Sequence, residues 1–220
     1  MVRFRLYFKG LVNFKFPKDY DDGLANDFYG KIREFQCQSK FKDFNLFTFS
    51  DFEIEHGQFY NDCVISLEGI VSVVVSSVDE YFLRDLVSFF MGNSLSFEDN
   101  ELFLFKFYSL ESCDFGLGRS KFITVSPIYL RDSVNRNNLF SYLEDKLVRD
   151  YCEYYNVDYD WLDCEMGTVG DVFQHFVDDV SGDFYMMDLF IRADSELISF
   201  AYDRGLGDDT YKGFGMLDLY

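Results

Sequence analysis

A glycine-rich stretch near the carboxyl end contains the residues whose types and spacing most clearly suggest chemistry. From Gly205 to Met216 the sequence is GLGDDTYKGFGM, in which two pairs of glycines flank five polar residues. Glycine at alternate positions allows positive φ angles and lets backbone N–H groups approach a ligand, typically a phosphate. Because a glycine cluster alone is weak evidence, a tight turn between a helix and a strand is the alternative interpretation.

The two histidines are candidates for proton transfer, because the ordinary pKa of imidazole lies near neutrality. His56 follows a run rich in acidic residues and is predicted at a strand end on the surface, and His175 alternates with aromatic residues in an exposed strand. Neither is predicted to be catalytic. Adjacent acids such as Asp178–Asp179 or Asp208–Asp209 could bind a metal. With 39 acidic residues, such pairs are expected by chance, so no metal and no cofactor is predicted.

The elements that would position these residues follow one order in the first half of the chain. Hydrophobic periodicity predicts alternating strands and helices, with a helix stop at Gly92-Asn93. The predicted elements are a strand at Val2–Lys9, a helix from Leu24 to Gln36, a strand at Leu46–Ser50, a hairpin region over 57–76, a helix from Asp79 to Met91, and one or two strands between Leu95 and Tyr108. This β-α-β-β-α-β order defines the ferredoxin-like unit.

The second half repeats the same order without a visible sequence repeat. Strands are predicted at Phe122–Ile128, Val169–Phe176, Phe184–Arg192 and Phe214–Leu219, and helices at Leu139–Tyr155 and Ser195–Arg204. The predicted fold is therefore α+β, with two tandem ferredoxin-like domains at 1–112 and 119–220. The junction is placed at 112–120, where Gly116 and Gly118 occur, and the second domain holds the glycine-rich loop 205–215.

Three landmarks in this order resemble a known family. They are the terminal glycine-rich loop, the strand Asn45–Ser50 (NLFTFS) after an early helix, and the strand Phe122–Ile128, whose Ser126-Pro127-Ile128 opens the second half. Together they resemble the CRISPR repeat-processing endoribonucleases, which are RNA-binding proteins of two ferredoxin-like domains. The resemblance implies recognition of CRISPR repeat RNA and metal-independent cleavage of the precursor CRISPR RNA.

The resemblance also implies a catalytic arrangement. In metal-independent RNA cleavage the 2′-hydroxyl attacks, so a base, an acid and a cation are needed. The family commonly has a tyrosine on the first helix, to which Tyr29 corresponds, and then a histidine and a lysine. No histidine occurs between Gly23 and Asp51, and Ser39 and Asn45 stand about where the family has its histidine and lysine. The implied catalytic residues are Tyr29, Lys40 and Lys42, and slow or absent cleavage is expected.

RNA contacts are predicted on the first helix and on the glycine-rich loop. They comprise Lys31, Arg33, Gly205, Gly207, Lys212, Gly213, Phe214 and Gly215. A modest basic patch is also predicted, which would be formed by Arg3, Arg5, Lys31, Arg33, Lys40 and Lys42.

The charge of the chain supports an alternative function. The net charge is −19; residues 1–50 carry nine Lys and Arg against six Asp and Glu, and the remaining residues carry eleven against 33. Such a balance opposes polyanion binding. An acidic, non-catalytic mimic that binds CRISPR effector subunits, as a virus-encoded decoy would, is therefore the second hypothesis. An ordinary RRM-like RNA binder is disfavoured, because the sequence lacks its aromatic motif with flanking Lys/Arg-Gly.

The cysteines and the hydropathy of the chain indicate in which cellular compartment the protein is expected. The five cysteines are odd in number and scattered, without a C-x-x-C motif, which disfavours a disulfide framework and a zinc site. The first residues lack the apolar core of a signal peptide, and no apolar stretch is long enough to cross a bilayer. A cytoplasmic protein without membrane contact is predicted.

Overall fold

Two antiparallel sheets, each with two helices, organise the chain. In this computed structural model the described residues are 2–17, 20–110, 113, 115, 118–131, 136–158, 162–175 and 182–220. The helices are α1 (Tyr20–Gln38), α2 (Glu80–Phe90), α3 (Leu139–Tyr155) and α4 (Ser195–Arg204). The strands are β1 (Val2–Lys9), β2 (Phe14–Pro17), β3 (Phe47–Phe49), β4 (Glu53–Ile54), β5 (Gly57–Phe59), β6 (Cys63–Ser66), β7 (Ile70–Ser77), β8 (Ser94–Phe97), β9 (Asn100–Leu110), β10 (Gly118–Thr124), β11 (Ile128–Leu130), β12 (Glu165–His175), β13 (Asp183–Ala193) and β14 (Leu217–Leu219).

The first sheet has the strand order β3-β7-β1-β9-β8, and β4 also pairs with β7. The side chains of β1 alternate between the two faces of the sheet: Phe4, Leu6 and Phe8 are buried, and the residues between them belong to the other face. The buried face packs with α1 and α2 in a core dominated by phenylalanine. Taking β1, β3, β7 and β9 as the four strands of the unit, the order is that of a ferredoxin-like sheet.

The second sheet repeats this arrangement. Strand β13 pairs with β10, β11 and β12, and β10 also pairs with β14. Helices α3 and α4 supply Leu143, Leu147, Leu197 and Ile198 to a second core, in which all four side chains are almost fully buried. The predicted class, two ferredoxin-like units in an α+β chain, is confirmed.

The region 57–76 differs from its prediction as one hairpin region. Strand β6 pairs with β2 and β5 in a separate three-stranded sheet, whereas β7 belongs to the first sheet. The chain passes between these sheets at Gly69, whose φ is +68°. The Ser66 hydroxyl accepts a hydrogen bond from the Ile70 N–H at 3.0 Å, so side-chain bonding replaces the ladder at this corner.

Both predicted helices of the second half have the observed bounds, but β10 lies four residues earlier than predicted and β14 is shorter than predicted. Strand β10 ends at Thr124 because the following residues bond to the end of the glycine-rich loop: Val125 donates to the Met216 carbonyl, and the Ser126 hydroxyl accepts from the Met216 N–H. For the same reason β14 begins only at Leu217.

The predicted domain limits at 112 and 119 stay a prediction. The first sheet uses residues up to Leu110 and the second begins at Gly118, and most of the predicted junction lies outside the described residues. None of the helices in the described part of the chain combines the length and apolar character that a membrane span requires.

Candidate functional site

The glycine-rich loop meets the first half of the chain at α1 and β3. The Tyr211 ring lies 6.0 Å from that of Tyr29 on α1. The Thr48 hydroxyl of β3 donates to the Phe214 carbonyl at 2.9 Å. Gly213 stands so close to Phe49 that an added Cβ would lie 2.5 Å from its ring. Tyr29, residues 45–49 and the loop therefore form one contact region, which we call the junction site.

The loop is a tightly folded segment, and several of its backbone N–H groups are bonded within the protein. The Leu206 N–H donates to the Gly215 carbonyl, the Asp208 N–H to the Tyr129 carbonyl, and the Gly215 N–H to the Pro127 carbonyl. Gly215 has a φ of +70°, and a Cβ there would lie 1.8 Å from the Leu206 oxygen. The glycines thus allow a close backbone crossing, as the turn interpretation of the sequence proposed.

The two aspartates of the loop are paired with side chains of the second half. Asp208 accepts from the Arg131 N–H at 3.0 Å and from the Tyr142 hydroxyl at 3.0 Å, and Lys146 lies 3.2 Å away. Asp209 contacts Arg131 at 2.7 Å and Lys212 at 2.9 Å. Burial alone would raise the pKa of each carboxyl, but these donors outweigh it and lower both values. Both residues are therefore anionic at neutral pH.

Lys212 is the cation of the loop at the junction site. Its hydrogen bond with Asp209 raises the pKa of its ammonium, and the neighbouring Tyr211 and Tyr29 phenols act in the same direction. The side chain is 41% exposed, so one side of the ammonium can still meet a ligand. Tyr211 donates its hydroxyl to Asp209 at 3.2 Å, and burial is the main cause that raises its pKa. Asp209 thereby orients both residues toward α1.

A pocket of about 460 Å³ opens beside the loop. Its lining brings together Asn45, which precedes β3, and the cations Arg131, Lys146 and Arg204. Arg204 is only 4% exposed; its guanidinium pairs with Asp150 and donates to the Gly205 carbonyl at 3.2 Å. Burial lowers the pKa of this arginine, whereas the nearby carboxylates raise it. Buried Arg204 thus fixes the start of the loop.

The predicted catalytic and RNA-binding residues are only partly brought together. Tyr29 and Lys212 share the junction site. Lys40 lies over the rings of Phe41 and Tyr81, at 4.9 and 5.5 Å, and is therefore directed toward α2. Lys42 is exposed in the loop after α1. The α1 residues Lys31 and Arg33 bond to neighbours on their own helix, Glu34 and Gln36.

The predicted basic patch is wrong for two of its six residues. Arg3 is 5% exposed; it donates to the Ser76 hydroxyl and the Tyr202 carbonyl, and its guanidinium lies 3.2 Å from the centre of the Tyr202 ring. Arg3 therefore joins the two halves instead of meeting solvent. Arg5 pairs with Glu53 at 3.0 Å on the face of the first sheet opposite α1. Alternation along β1 separates these arginines from the helix lysines.

The remaining candidates lie elsewhere. His56 is exposed in the turn between β4 and β5, with a φ of +53°. His175 is the last residue of β12, and its side chain is not among the described parts of the structure. Asp178–Asp179 lie outside the described residues. Ser39 bonds to Gln36 at the end of α1. Among the residues that the structure describes, no cluster of three His, Cys, Asp or Glu side chains could hold a metal.

Sequence reasoning missed Arg131, Lys146 and Tyr142, which stabilise the aspartates of the loop. Arg131 and Lys146 lie 77 and 62 positions before Asp208, and no motif links them to the loop. The one available signal was the Asp208–Asp209 pair itself, because two adjacent acids in a tight glycine-rich loop need cationic or hydrogen-bonding partners where the fold buries them. That signal indicates partners without identifying them.

Comparison with known proteins shows a family match and a shared fold. Residues 111–219 match the family described as CRISPR associated protein Cas6, C-terminal. No curated protein matches the chain. Among solved structures, a CRISPR associated protein Cas6 is 21% identical with a TM-score of 0.83, covering 100% of this chain and 99% of its own. A Cas6-related protein from Pyrococcus furiosus is 18% identical with a TM-score of 0.77, covering 100% and 98%.

A third solved structure, described as an RAMP protein binding different RNA substrates, is 16% identical with a TM-score of 0.80 and full coverage of both chains. At these identities the structural matches establish the fold, and the family match covers the half of the chain that contains the glycine-rich loop. The whole length of the chain has the fold of these solved Cas6 structures. By the match of residues 111–219, the chain belongs to the Cas6 family of CRISPR-associated proteins.

Proposed function

We propose that this protein recognises CRISPR repeat RNA and cleaves it slowly, without a metal ion, at the junction site. The observation that carries the proposal is the meeting of Tyr29 with the Tyr211–Lys212 segment of the glycine-rich loop, 6.0 Å apart between the two tyrosine rings. One side chain comes from each half of the chain. An RNA backbone lying between the halves would meet both.

The chemistry available at the junction site explains why cleavage would be slow. Lys212, which its bond to Asp209 keeps protonated, would stabilise the negative charge of the phosphorane. Tyrosine phenols ordinarily have a pKa of about 10, so they are weak bases at neutral pH. The described contacts place no histidine beside Tyr29. General acid–base catalysis is worth roughly 10²–10⁴-fold in rate, and that factor is reduced here.

The Asp208–Asp209 pair does not support the alternative of an acidic decoy. Both carboxylates are held by Arg131, Lys146 and Lys212, so they act as internal counterions of the loop. The excess of acidic residues after position 50 still supports that alternative. Binding of an effector subunit, with no RNA binding, is therefore its distinguishing outcome.

The test is incubation of the purified protein with a hairpin repeat RNA in EDTA, with the products separated on a gel. We expect slow cleavage that leaves a 2′,3′-cyclic phosphate. Tyr29→Phe should abolish it, and Lys212→Ala should slow it by roughly tenfold or more. The matched controls are Tyr60→Phe and Lys15→Ala, which change exposed residues outside the junction site.

Two outcomes would contradict the proposal. Cleavage that is unaffected by both junction-site variants would place the chemistry elsewhere. Absence of RNA binding at low salt, where phosphate contacts are strongest, would favour the effector-binding alternative.

A further inference from the structure

The open face of the first sheet carries a group of aromatic and basic side chains, four of which are exposed and two half-buried. We call this group the aromatic–basic face. Its members are Tyr7, Lys9, Phe103, Phe105, Lys106 and Tyr108. We propose that this face is a second RNA-binding surface, which takes unpaired bases of a single strand. The proposal rests on the proposed function only in that its ligand is RNA, and it concerns a surface separate from the junction site.

Strand alternation accounts for half of the face. In β1, Phe4, Leu6 and Phe8 point into the core, so Tyr7 and Lys9 lie on the opposite side of the sheet. In β9, Leu102 is buried and Phe103 stands opposite Lys9. One face of the sheet therefore carries the apolar core residues that pack against the helices. The other face carries a second set of aromatic residues, which face solvent.

A bulge in β9 completes the face. Tyr7 pairs with Lys106 and Phe8 pairs with Leu104, so Phe105 is the additional residue of the bulge. The bulge places Phe105 and Lys106 on the same side, although they are adjacent in sequence. Their contacts confirm this, because the Tyr7 ring lies 6.4 Å from the Phe105 ring and 4.1 Å from the Lys106 ammonium. Bulges commonly re-aim side chains in this way at functional positions.

The rings of the face are unusually exposed. Phe103 is 55% exposed, Phe105 45% and Tyr108 54%. Singly exposed apolar residues need no explanation, but a contiguous group marks an interaction surface. The Tyr7 ring meets those of Phe105 and Tyr108 edge to face, with centroids 6.4 and 5.8 Å apart, so ring faces remain available for stacking.

The charge of the face favours a nucleic acid over an apolar partner. The Lys106 ammonium lies 4.1 to 5.5 Å from the centres of three rings, and Lys9 lies 6.0 Å from that of Phe105. Arg5 is next to them and is paired with Glu53; Glu101 lies at the start of β9. In a chain of net charge −19, two lysines among exposed rings form a locally basic area. Aromatic rings that alternate with cations are the arrangement used to hold single strands, with bases stacked and phosphates near the ammonium groups.

This face is separate from the junction site. The glycine-rich loop contacts β3 at one edge of the strand order, whereas the aromatic–basic face lies on β1 and β9 toward the other edge. Tyr29 is on α1, which packs against the opposite side of the sheet. A strand of RNA could therefore occupy the face without touching the residues of the junction site.

The test is the affinity of the full chain for a labelled oligoadenylate of twelve nucleotides, measured by fluorescence anisotropy. This RNA offers bases for stacking and forms no hairpin. We expect Phe105→Ala and Tyr108→Ala each to weaken binding about tenfold, equivalent to about 1.4 kcal/mol. The matched control is Phe59→Ala, an 82% exposed phenylalanine on β5, which should change the affinity less than twofold. A polyphosphate of similar charge should bind less well than the oligoadenylate and should not distinguish Phe105→Ala from the wild type.

Unchanged oligoadenylate binding in both face variants would overturn the proposal. So would an unchanged affinity accompanied by loss of self-association in sedimentation, because the face would then join two copies of the chain. The failure of the proposed function would look different: hairpin RNA would not be cleaved, while oligoadenylate binding would still depend on Phe105. Conversely, RNA cleavage with no effect of Phe105→Ala on oligoadenylate binding would refute this inference alone.

Discussion

The two halves of the chain share one strand order and differ in the surfaces that they present. Residues 1–110 have a net charge of −6 and residues 111–220 one of −13. The first half has a core of phenylalanines and leaves rings and lysines on its open face. The second half has a buried ion network around the glycine-rich loop. A common fold therefore supports two kinds of site, which is why function must be argued from the site.

The difference lies in how each half uses charge. In the second half, Arg204, Asp150, Lys146 and Asp208 form a continuous network in which every side chain is at least four-fifths buried. Such a network fixes a geometry, and removal of one member leaves a buried charge without its partner. In the first half, Lys9 of the aromatic–basic face is exposed, Lys106 is half-buried, and both contact rings. They are therefore available to a ligand at little structural cost.

The largest expected effect is a difference in stability between two Gly→Ala variants, one in each half of the chain. Gly215→Ala places a Cβ against the Leu206 carbonyl in a backbone that alanine rarely adopts, so the free energy of unfolding should fall by roughly 3 kcal/mol or more. The matched change in the first half is Gly30→Ala in α1, where no atom lies within 4 Å of the added carbon. It should stabilise the protein by about 1 kcal/mol. Urea unfolding of both variants measures the contrast.

If Gly215→Ala proved as stable as the wild type, the loop would have to rearrange with little loss of energy. The tight backbone crossing at the junction site would then not be required for stability.

The next effect concerns the contact between the halves. Arg3→Ala should lower the free energy of unfolding by about 2 kcal/mol, because it leaves the Ser76 hydroxyl and the Tyr202 carbonyl without their buried donor. Arg5→Ala, two residues along the same strand, removes an exposed pair with Glu53 and should cost less than about 1 kcal/mol. Thermal unfolding should give this order. Equal effects would show that Arg3 does not join the halves.

Much of the fold was predictable from the sequence, because periodicity reports burial. Helices α3 and α4 have their predicted bounds. Buried residues recur at helical spacing in each of them, as Leu143 and Leu147 in α3 and as Leu197 and Ala201 in α4. The hairpin region over 57–76 was less well predicted, because alternation within a strand does not identify its partner. The role of Arg3 was not predictable either. A basic residue in an alternating strand looks exposed until the other half of the chain covers it.

The candidate site was predictable only in outline. The glycine-rich loop was identified from its glycine spacing and Tyr29 from a resemblance, and the structure brings them together. The partners of Asp208, in contrast, are distant in sequence. The aromatic–basic face was hidden by the bulge at Phe105, since strict alternation would have put Phe105 and Lys106 on opposite sides.

The last expected effect, comparable in size to that of Arg3→Ala, is a dependence of stability on pH. Asp203, at the end of α4, is 6% exposed, and its Oδ1 has no hydrogen-bond partner among the described residues. Burial raises the pKa of this carboxyl to about 7, although the charge of Arg3 acts in the opposite direction. An unfolded aspartate has a pKa near 3.9, so the folded state binds the extra proton between about pH 4 and 7. The contribution of Asp203 to stability should therefore fall as the pH rises through this window, and stay constant above it.

Asp203→Asn removes this titration, so the variant should gain stability relative to the wild type as the pH rises from 5 to 8. The gain between pH 5 and pH 8 should be about 2 kcal/mol, because one pKa unit is worth about 1.4 kcal/mol. It corresponds to about 6 °C in Tm for a chain of this size. Asp85→Asn, which changes an exposed residue of α2, is the control and should show no such trend. A variant less stable than the wild type at pH 8 would mean that ionised Asp203 pairs with Arg3. The contact between the halves would then include an ion pair of this aspartate with Arg3.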